Sequence, residues 1–100
     1  YEGSCAIDAD LLAAAGILPF EQIQIYDVNN GERFTTYAIS AAPDSGCISV
    51  NGAAARRVAL GDLLIIASYL QISPQEAQGW LPKVVHVDTQ NREIRPTLAV

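Results

Sequence analysis

Arg33 and Tyr37 are polar residues four positions apart in a segment whose composition is typical of a β-strand. Residues an even number apart share one face of a strand, so both side chains can point into one pocket. A guanidinium group binds a carboxylate through two parallel hydrogen bonds. Arg33 is therefore a candidate ligand for an acidic small molecule. An exposed arginine in a solvated ion pair and a tyrosine packed at a strand edge fit the same residues.

The remaining reactive residue types suggest no metal or redox site. Cys5 and Cys47 are far apart and outside any CxxC spacing. This favours two reduced thiols in a cytoplasmic protein, although a disulfide remains open. The single histidine, His86, has no zinc-ligand spacing around it, so we expect it to be structural and predict no metal site.

Composition narrows the class of protein. The 100 residues, half of them apolar, fit one globular domain. The net charge of −5, with only Arg56 and Arg57 adjacent among the basic residues, argues against nucleic-acid binding. No apolar run is long enough to span a bilayer, and the start has neither a signal-peptide pattern nor an initiating Met. We therefore expect a cytoplasmic protein that does not bind membranes.

The first half of the chain predicts one helix and two strands. Residues 7–16 favour a helix, with Asp8 as N-cap and Gly16 at the C-terminal cap. Residues 23–28 alternate apolar and polar side chains, which is typical of a half-buried strand. A turn at Asn29-Asn30-Gly31 leads to a returning strand at residues 33–39.

The second half predicts shorter elements. We expect a strand at residues 47–50, a helical turn at 53–57 and a strand buried on both faces at 63–69. Ser73-Pro74-Gln75-Glu76 is a helix start with a capping box, and that helix should end near Trp80. A last strand is expected at residues 84–87, followed by a polar strand or tail at 89–100. The pattern suggests a mainly β fold, a small β-barrel with short helices.

Three motifs in sequence order carry a resemblance to a known family. They are Tyr1-Glu2-Gly3-Ser4, the stretch from Asn30 to Ala38 (NGERFTTYA), and the stretch from Ile48 to Ala55 (ISVNGAAA). Together with Gly61-Asp62-Leu63-Leu64-Ile65-Ile66-Ala67 they resemble the pyruvoyl-dependent aspartate 1-decarboxylases. The resemblance runs from Tyr1 to about Val87.

The resemblance implies a double-psi β-barrel that decarboxylates L-aspartate to β-alanine and carbon dioxide, a step towards pantothenate and coenzyme A. It also implies a homotetramer of cleaved small and large chains, in some members matured by a helper protein. The precursor would break its own chain between Gly3 and Ser4. Ser4 would become a pyruvoyl group that forms a Schiff base with the substrate and serves as the electron sink for decarboxylation.

The same resemblance assigns roles to individual residues. Tyr37 would donate the proton that replaces carbon dioxide, and Thr36 would hydrogen-bond the Gly3 carbonyl during cleavage. An ideal strand points Thr36 away from Tyr37, so a bulge, a twist or a strand end should be needed. Arg33 would grip a substrate carboxylate. A loop of small residues would line the substrate pocket: Asn51, Gly52, Ala53 and Ala54. Tyr1 and Tyr26 match pocket or interface aromatics, with ordinary packing equally open.

One feature of the family is missing here. Its members carry a strand segment with a basic residue before the Tyr-Glu-Gly-Ser stretch, so we expect residues 1–100 to be a single domain without that segment, in a truncated or unprocessed chain. A non-catalytic barrel that binds a ligand or assembles with partners is one alternative. A pyruvoyl decarboxylase for another amino acid, such as glutamate, is a second.

Overall fold

The fold is mainly β, and the structure, a computed structural model, describes residues 3–95. Seven strands alternate with two short α-helices and one 3-10 helix. In chain order these are β1 (Ser4–Asp8), α1 (Ala9–Ala15), β2 (Gln22–Asp27), β3 (Arg33–Ala41), β4 (Ile48–Asn51), the 3-10 helix (Gly52–Arg57), β5 (Leu64–Ala67), α2 (Pro74–Ala77), β6 (His86–Val87) and β7 (Glu93–Ile94).

Five strands form one sheet in the order β4-β1-β3-β2-β5. β1 runs parallel to β3, with Cys5 opposite Ala38, and the other neighbours are antiparallel. The sheet curls into a half-barrel, which confirms the predicted class of a small, mainly β barrel with short helices. β6 and β7 pair separately as a hairpin.

The core lies between α1 and one face of this sheet. β2 alternates as predicted, with Ile23 and Ile25 almost fully buried and Gln24 and Tyr26 on the other face. Core residues are contributed by β1, α1, β2, β3 and the segment after α1: Cys5, Ile7, Leu12, Ile17, Ile23, Ile25 and Ala38.

The predicted N-cap of the first helix is correct, but a strand that the sequence did not predict ends directly before the helix. Asp8 caps α1 by accepting the Asp10 N–H at 2.8 Å, and Gly16 ends it in the left-handed conformation. Ile7 lies in β1, not in the helix, and β1 itself was not predicted. β1 forms because β3 and β4 flank it and supply backbone hydrogen bonds on both sides, and a local pattern cannot reveal these partners.

The prediction of a strand buried on both faces at residues 63–69 is wrong. β5 covers only Leu64–Ala67 and lies at the sheet edge, paired with β2 alone. Leu63, Ile65 and Tyr69 are each more than half exposed in the single chain. A continuous apolar run does not show whether a strand has neighbours on both sides, and its burial depends on those neighbours.

The last third is shorter than predicted. Ser73 and Glu76 form the expected capping box, but α2 ends at Ala77 and not near Trp80. The expected strand at 84–87 is reduced to His86–Val87, which pairs with Glu93–Ile94 from the expected polar strand. Residues 96–100 of that strand or tail lie outside the described residues.

Candidate functional site

Ser4 is fully buried at the first position of β1. It is paired with Asn51 at the end of β4, and the Asn51 amide nitrogen (Nδ2) donates to Ser4 Oγ at 3.4 Å. The Ser49 hydroxyl holds the same amide from its other end, because it donates to Asn51 Oδ1 at 3.0 Å. Two predicted site residues from opposite halves of the chain, Ser4 and Asn51, are thus in contact.

Gly3 packs against the loop that the sequence assigned to the pocket. Its φ of +129° is a conformation that side chains disfavour. A Cβ atom built there would lie 2.9 Å from the Asn51 carbonyl oxygen and 3.0 Å from the Ala54 Cβ. The position therefore requires glycine for both its conformation and its contacts, and the Gly3–Ser4 bond lies against Asn51 and Ala54.

β3 runs along the other side of the Gly3–Ser4 bond. The parallel register pairs Cys5 with Ala38. Ser4 and Tyr37 each precede this pair by one residue, and Gly3 and Thr36 precede it by two. The Gly3–Ser4 bond therefore lies at the start of the pairing between β1 and β3.

Thr36 has an unusual hydroxyl group. Its Oγ1 is buried and finds no hydrogen-bond partner within residues 3–95. A buried hydroxyl without a partner costs free energy, so such groups are uncommon unless they have a task. This hydroxyl is therefore free to donate a hydrogen bond to a group that is absent from residues 3–95 or that moves during a reaction.

Arg33 is not brought to Ser4 within one chain. Four residues of strand separate it from Tyr37, about 13 Å at the usual rise. The Arg33 guanidinium carbon lies 4.2 Å from the centroid of the Tyr26 ring. Because β2 and β1 flank β3 on opposite sides, the Arg33 side chain leans away from Ser4.

Arg33 instead opens onto a groove of about 590 Å³. Seven residues line it, of which three are arginines and two are predicted small residues of the pocket: Arg33, Phe34, Thr35, Ala53, Ala54, Arg56 and Arg57. Ala54 therefore borders both this groove and Gly3, while Gly52 is exposed at the start of the 3-10 helix. The chain is acidic overall, so three of its six basic residues in one groove make a local positive field.

The Arg33 charge has no carboxylate partner in the part of the chain described here. The ion pairs among residues 3–95 are Arg57 with Glu32, at 3.2 Å, and Arg92 with Asp44. The alternative of an arginine in a solvated ion pair therefore finds no support in the single chain. Arg33 is left able to bind an external anion.

A wider concavity of about 870 Å³ lies on the open side of the half-barrel. It is lined mainly by apolar side chains of β1, α1 and the segment leading into β5, including Ile7, Leu12 and Leu64. None of the predicted catalytic or binding residues lines it. The chemistry-bearing residues lie on other surfaces of the fold.

Both cysteines are free thiols in the structure. Burial, and to a smaller extent the neighbouring Cys47, raises the pKa of the Cys5 thiol to about 12. His86 is exposed in the β6–β7 hairpin. Among residues 3–95 no cluster of His, Cys, Asp and Glu has the makings of a metal site, and no helix is long and apolar enough to cross a membrane. Tyr1, an expected pocket aromatic, lies outside the described residues.

Tyr69 was not predicted as a residue near the site. Its hydroxyl oxygen lies 2.6 Å from that of Tyr26, although 43 residues separate them. The Tyr69 hydrogen bond lowers the pKa of Tyr26, burial opposes this, and the Arg33 cation adds to it. The same hydrogen bond raises the pKa of Tyr69. Long-range contacts of this kind have no local sequence signal.

Comparison with known proteins identifies the family of this chain. The family model described as aspartate decarboxylase matches residues 1–94. An aspartate 1-decarboxylase of Methylococcus capsulatus is 58% identical over the whole chain, which spans 79% of that relative. Those of Syntrophus aciditrophicus and Chromobacterium violaceum are 59% and 62% identical over 92% of the chain, or 79% and 73% of their own lengths. The chain belongs to the aspartate decarboxylase family.

Proposed function

We propose that this protein decarboxylates L-aspartate to β-alanine and carbon dioxide, a step towards pantothenate and coenzyme A, with a pyruvoyl group made from its own Ser4. One observation carries the proposal. In a chain about 60% identical to named aspartate 1-decarboxylases, the Gly3–Ser4 bond is buried against Asn51 and Ala54, at the start of the pairing between β1 and β3.

Self-cleavage needs only groups of this chain and water. Ser4 Oγ attacks the Gly3 carbonyl carbon, and the amide becomes an ester with a free Ser4 amine. Loss of the Ser4 α-proton then breaks the ester Cβ–O bond, which leaves the Gly3 carboxylate and a dehydroalanine. Water replaces the nitrogen of this residue as ammonia, and a ketone remains. Cys5 cannot replace Ser4, because the carbonyl before it belongs to Ser4.

The surrounding residues have distinct tasks in that step. The Thr36 hydroxyl donates to the oxygen that becomes negative on Gly3, which is what a preorganised donor does best in a buried site. The Asn51 amide orients Ser4 Oγ, whose attack requires one particular rotamer. The positive φ of Gly3 and its close contacts with Asn51 and Ala54 hold the bond in one conformation for this attack.

The pyruvoyl group supplies an electron sink for the pair released with carbon dioxide. The residues of the chain bind and protonate the substrate around it. Tyr37, which precedes Ala38 on β3 as Ser4 precedes Cys5 on β1, donates a proton to the substrate carbon that has lost its carboxylate. Arg33 holds the distal carboxylate. Gly52, Ala53 and Ala54 allow backbone N–H groups to approach the substrate closely.

Arg33 of one copy serves Ser4 of another in the proposed homotetramer. The support is geometric: the Arg33 guanidinium lies over β2, on the far side of β3 from Ser4. Co-expression of Ser4→Ala and Arg33→Ala chains tests this. If sites are shared, mixed tetramers recover part of the activity that each variant lacks alone. If mixed tetramers are shown to form and recover no activity, each chain uses its own Arg33.

The primary test is the intact mass of the purified protein, with Ser4→Ala as the control. We expect a large fragment that starts at residue 4 and is one ammonia lighter than hydrolysis would give, and no cleavage in Ser4→Ala. The matured protein should also release carbon dioxide from aspartate, and much less from glutamate. A chain that stays uncut even with a co-expressed maturation helper would favour a non-catalytic binding or assembly module.

We also place the enzyme in the cytoplasm, where reducing conditions keep thiols such as the two free cysteines reduced. The single domain proposed here spans residues 1–100. Fractionation of cells from the source organism, with an antibody against the protein, checks the location.

A further inference from the structure

Tyr26 and Arg33 face each other across β2 and β3 as a register pair. The Arg33 guanidinium carbon stands 4.2 Å from the Tyr26 ring centroid, inside the range in which a cation is attracted to an aromatic face. A stacked guanidinium has one face covered, while its edge N–H groups stay free for a planar acceptor. The ring therefore restricts the direction of the Arg33 fork.

The Tyr26 hydroxyl is fixed at two points. It donates to Gln24 Oε1 at 3.0 Å, and the Tyr69 hydroxyl oxygen lies 2.6 Å away. A phenol has one proton to give, so when Tyr26 donates to Gln24 the second bond must run from Tyr69 to Tyr26. The three side chains form a directed chain of hydrogen bonds from Tyr69 through Tyr26, beneath Arg33, to Gln24.

This arrangement does little for the fold. Tyr69 is 68% exposed and Arg33 is exposed. Neutral hydrogen bonds that water can replace add little net stability. The hydrogen bond from Tyr69, with the Arg33 cation, lowers the pKa of Tyr26 against the effect of burial.

We propose that Tyr26, held by Tyr69, is a positioning residue that aims the Arg33 guanidinium at the distal carboxylate of the substrate. This rests on the proposed function, because it takes Arg33 as the carboxylate ligand. Tyr26 acts through Arg33 and not on the reacting atoms. Its loss weakens binding of the substrate and leaves the chemical step largely intact.

Three variants separate the ring from the hydroxyl. In the matured enzyme, Tyr26→Leu removes both and should raise KM for aspartate roughly 10-fold, with kcat within about 2-fold of the parent. Tyr26→Phe keeps the ring and removes its hydroxyl, and Tyr69→Phe removes only the hydroxyl that donates to Tyr26. Both should raise KM by about 2- to 4-fold. A KM unchanged in all three overturns the proposal.

Two controls distinguish the positioning role of Tyr26 from the carboxylate-binding role of Arg33. Arg33→Ala should raise KM strongly, and Tyr26→Leu should add nothing in that background, because both changes remove one interaction. If Arg33→Ala leaves KM unchanged, the assignment of Arg33 in the proposed function fails. If Arg33→Ala raises KM and the tyrosine variants do not, only the positioning role of Tyr26 fails.

A readout without catalysis excludes a merely structural effect. Succinate, which has the carboxylates and no amine, should bind uncut Ser4→Ala protein in calorimetry, and Tyr26→Leu should weaken that binding about 10-fold. Tyr26→Phe should weaken it less, since the ring is retained. Lower thermal stability or less cleavage in Tyr26→Leu, with succinate binding intact, would contradict the proposal.

Discussion

Gly3 and Ala54 are packed so closely that a Cβ atom on Gly3 would lie 3.0 Å from the Cβ of Ala54. The contact joins the residue before the proposed cleavage bond to the loop proposed to line the substrate pocket. It makes the conformation of the bond depend on that loop.

Gly3→Ala should therefore damage both folding and cleavage. The φ of +129° and the contact with the Asn51 carbonyl oxygen should together cost about 1–3 kcal/mol in the free energy of unfolding, and cleavage should slow strongly. Chemical denaturation and time-resolved mass spectrometry measure the two effects. The control is Gly31→Ala: its φ is +78°, and a Cβ there meets nothing within 4 Å among the described residues. Equal effects of the two changes would contradict the importance of the contact.

Thr36→Val should separate stability from self-cleavage. It replaces a buried hydroxyl that lacks a partner within residues 3–95 by a methyl of similar size, so stability should stay equal or rise by up to about 1 kcal/mol. Cleavage should slow by about 10²- to 10³-fold, the usual cost of losing an oxyanion donor. Thr36→Ser keeps the hydroxyl and should cleave far faster than Thr36→Val. A destabilised Thr36→Val chain would show that Oγ1 has a structural partner.

The two cysteines should differ in reactivity. Burial and the neighbouring Cys47 raise the pKa of Cys5 to about 12, so almost no Cys5 thiolate exists at pH 8. Cys47 is only partly buried. Brief alkylation of the native protein should label Cys47 alone, and denatured protein should be labelled twice. Rapid native labelling of Cys5 would mean that β1 opens readily.

Asp8 should make the fold sensitive to acid. Its carboxylate is buried and accepts N–H groups from Asp10, Asp44 and Gly46, at 2.8, 3.1 and 2.9 Å. The bond from Gly46 is the main cause that lowers its pKa in the fold, while burial opposes it. A folded-state pKa below the unfolded value of about 3.9 gives stability that is present above that pH. This stability is lost as the pH falls through the folded-state pKa.

Asp8→Asn should therefore lower the thermal midpoint by several degrees at pH 7 and flatten its fall in acid. The matched control is Asp10→Asn, which removes an exposed carboxylate two residues away. Thermal unfolding measured from pH 7 down to pH 3 compares the variants. An unchanged acid profile in Asp8→Asn would show that other groups set the acid sensitivity.

Several elements could be predicted from the sequence because their signals are local. The Asp8 cap and the Ser73–Glu76 capping box depend on side chains that bond their own neighbours. The Gly16 terminus depends on the left-handed backbone conformation that glycine adopts easily. The alternation of β2 and the turn at Asn29–Gly31 are equally local. Asp27 Oδ1 supports that turn by accepting the N–H groups of Asn29 and Asn30, at 2.8 and 3.2 Å.

The sequence by itself determined the family, through motifs that specify residue types at fixed spacing, and with it the candidates Ser4, Arg33, Thr36 and Tyr37. Only the tertiary structure decided which of these meet. β1 became a strand because β3 and β4 flank it, and β5 became an exposed edge because it has one neighbour. The pairing of β1 with β4 brings Ser4 to Asn51, and the Arg33 side chain stacks on Tyr26 of the neighbouring strand β2. Pairing between strands joins residues far apart in the chain, and no local pattern encodes it.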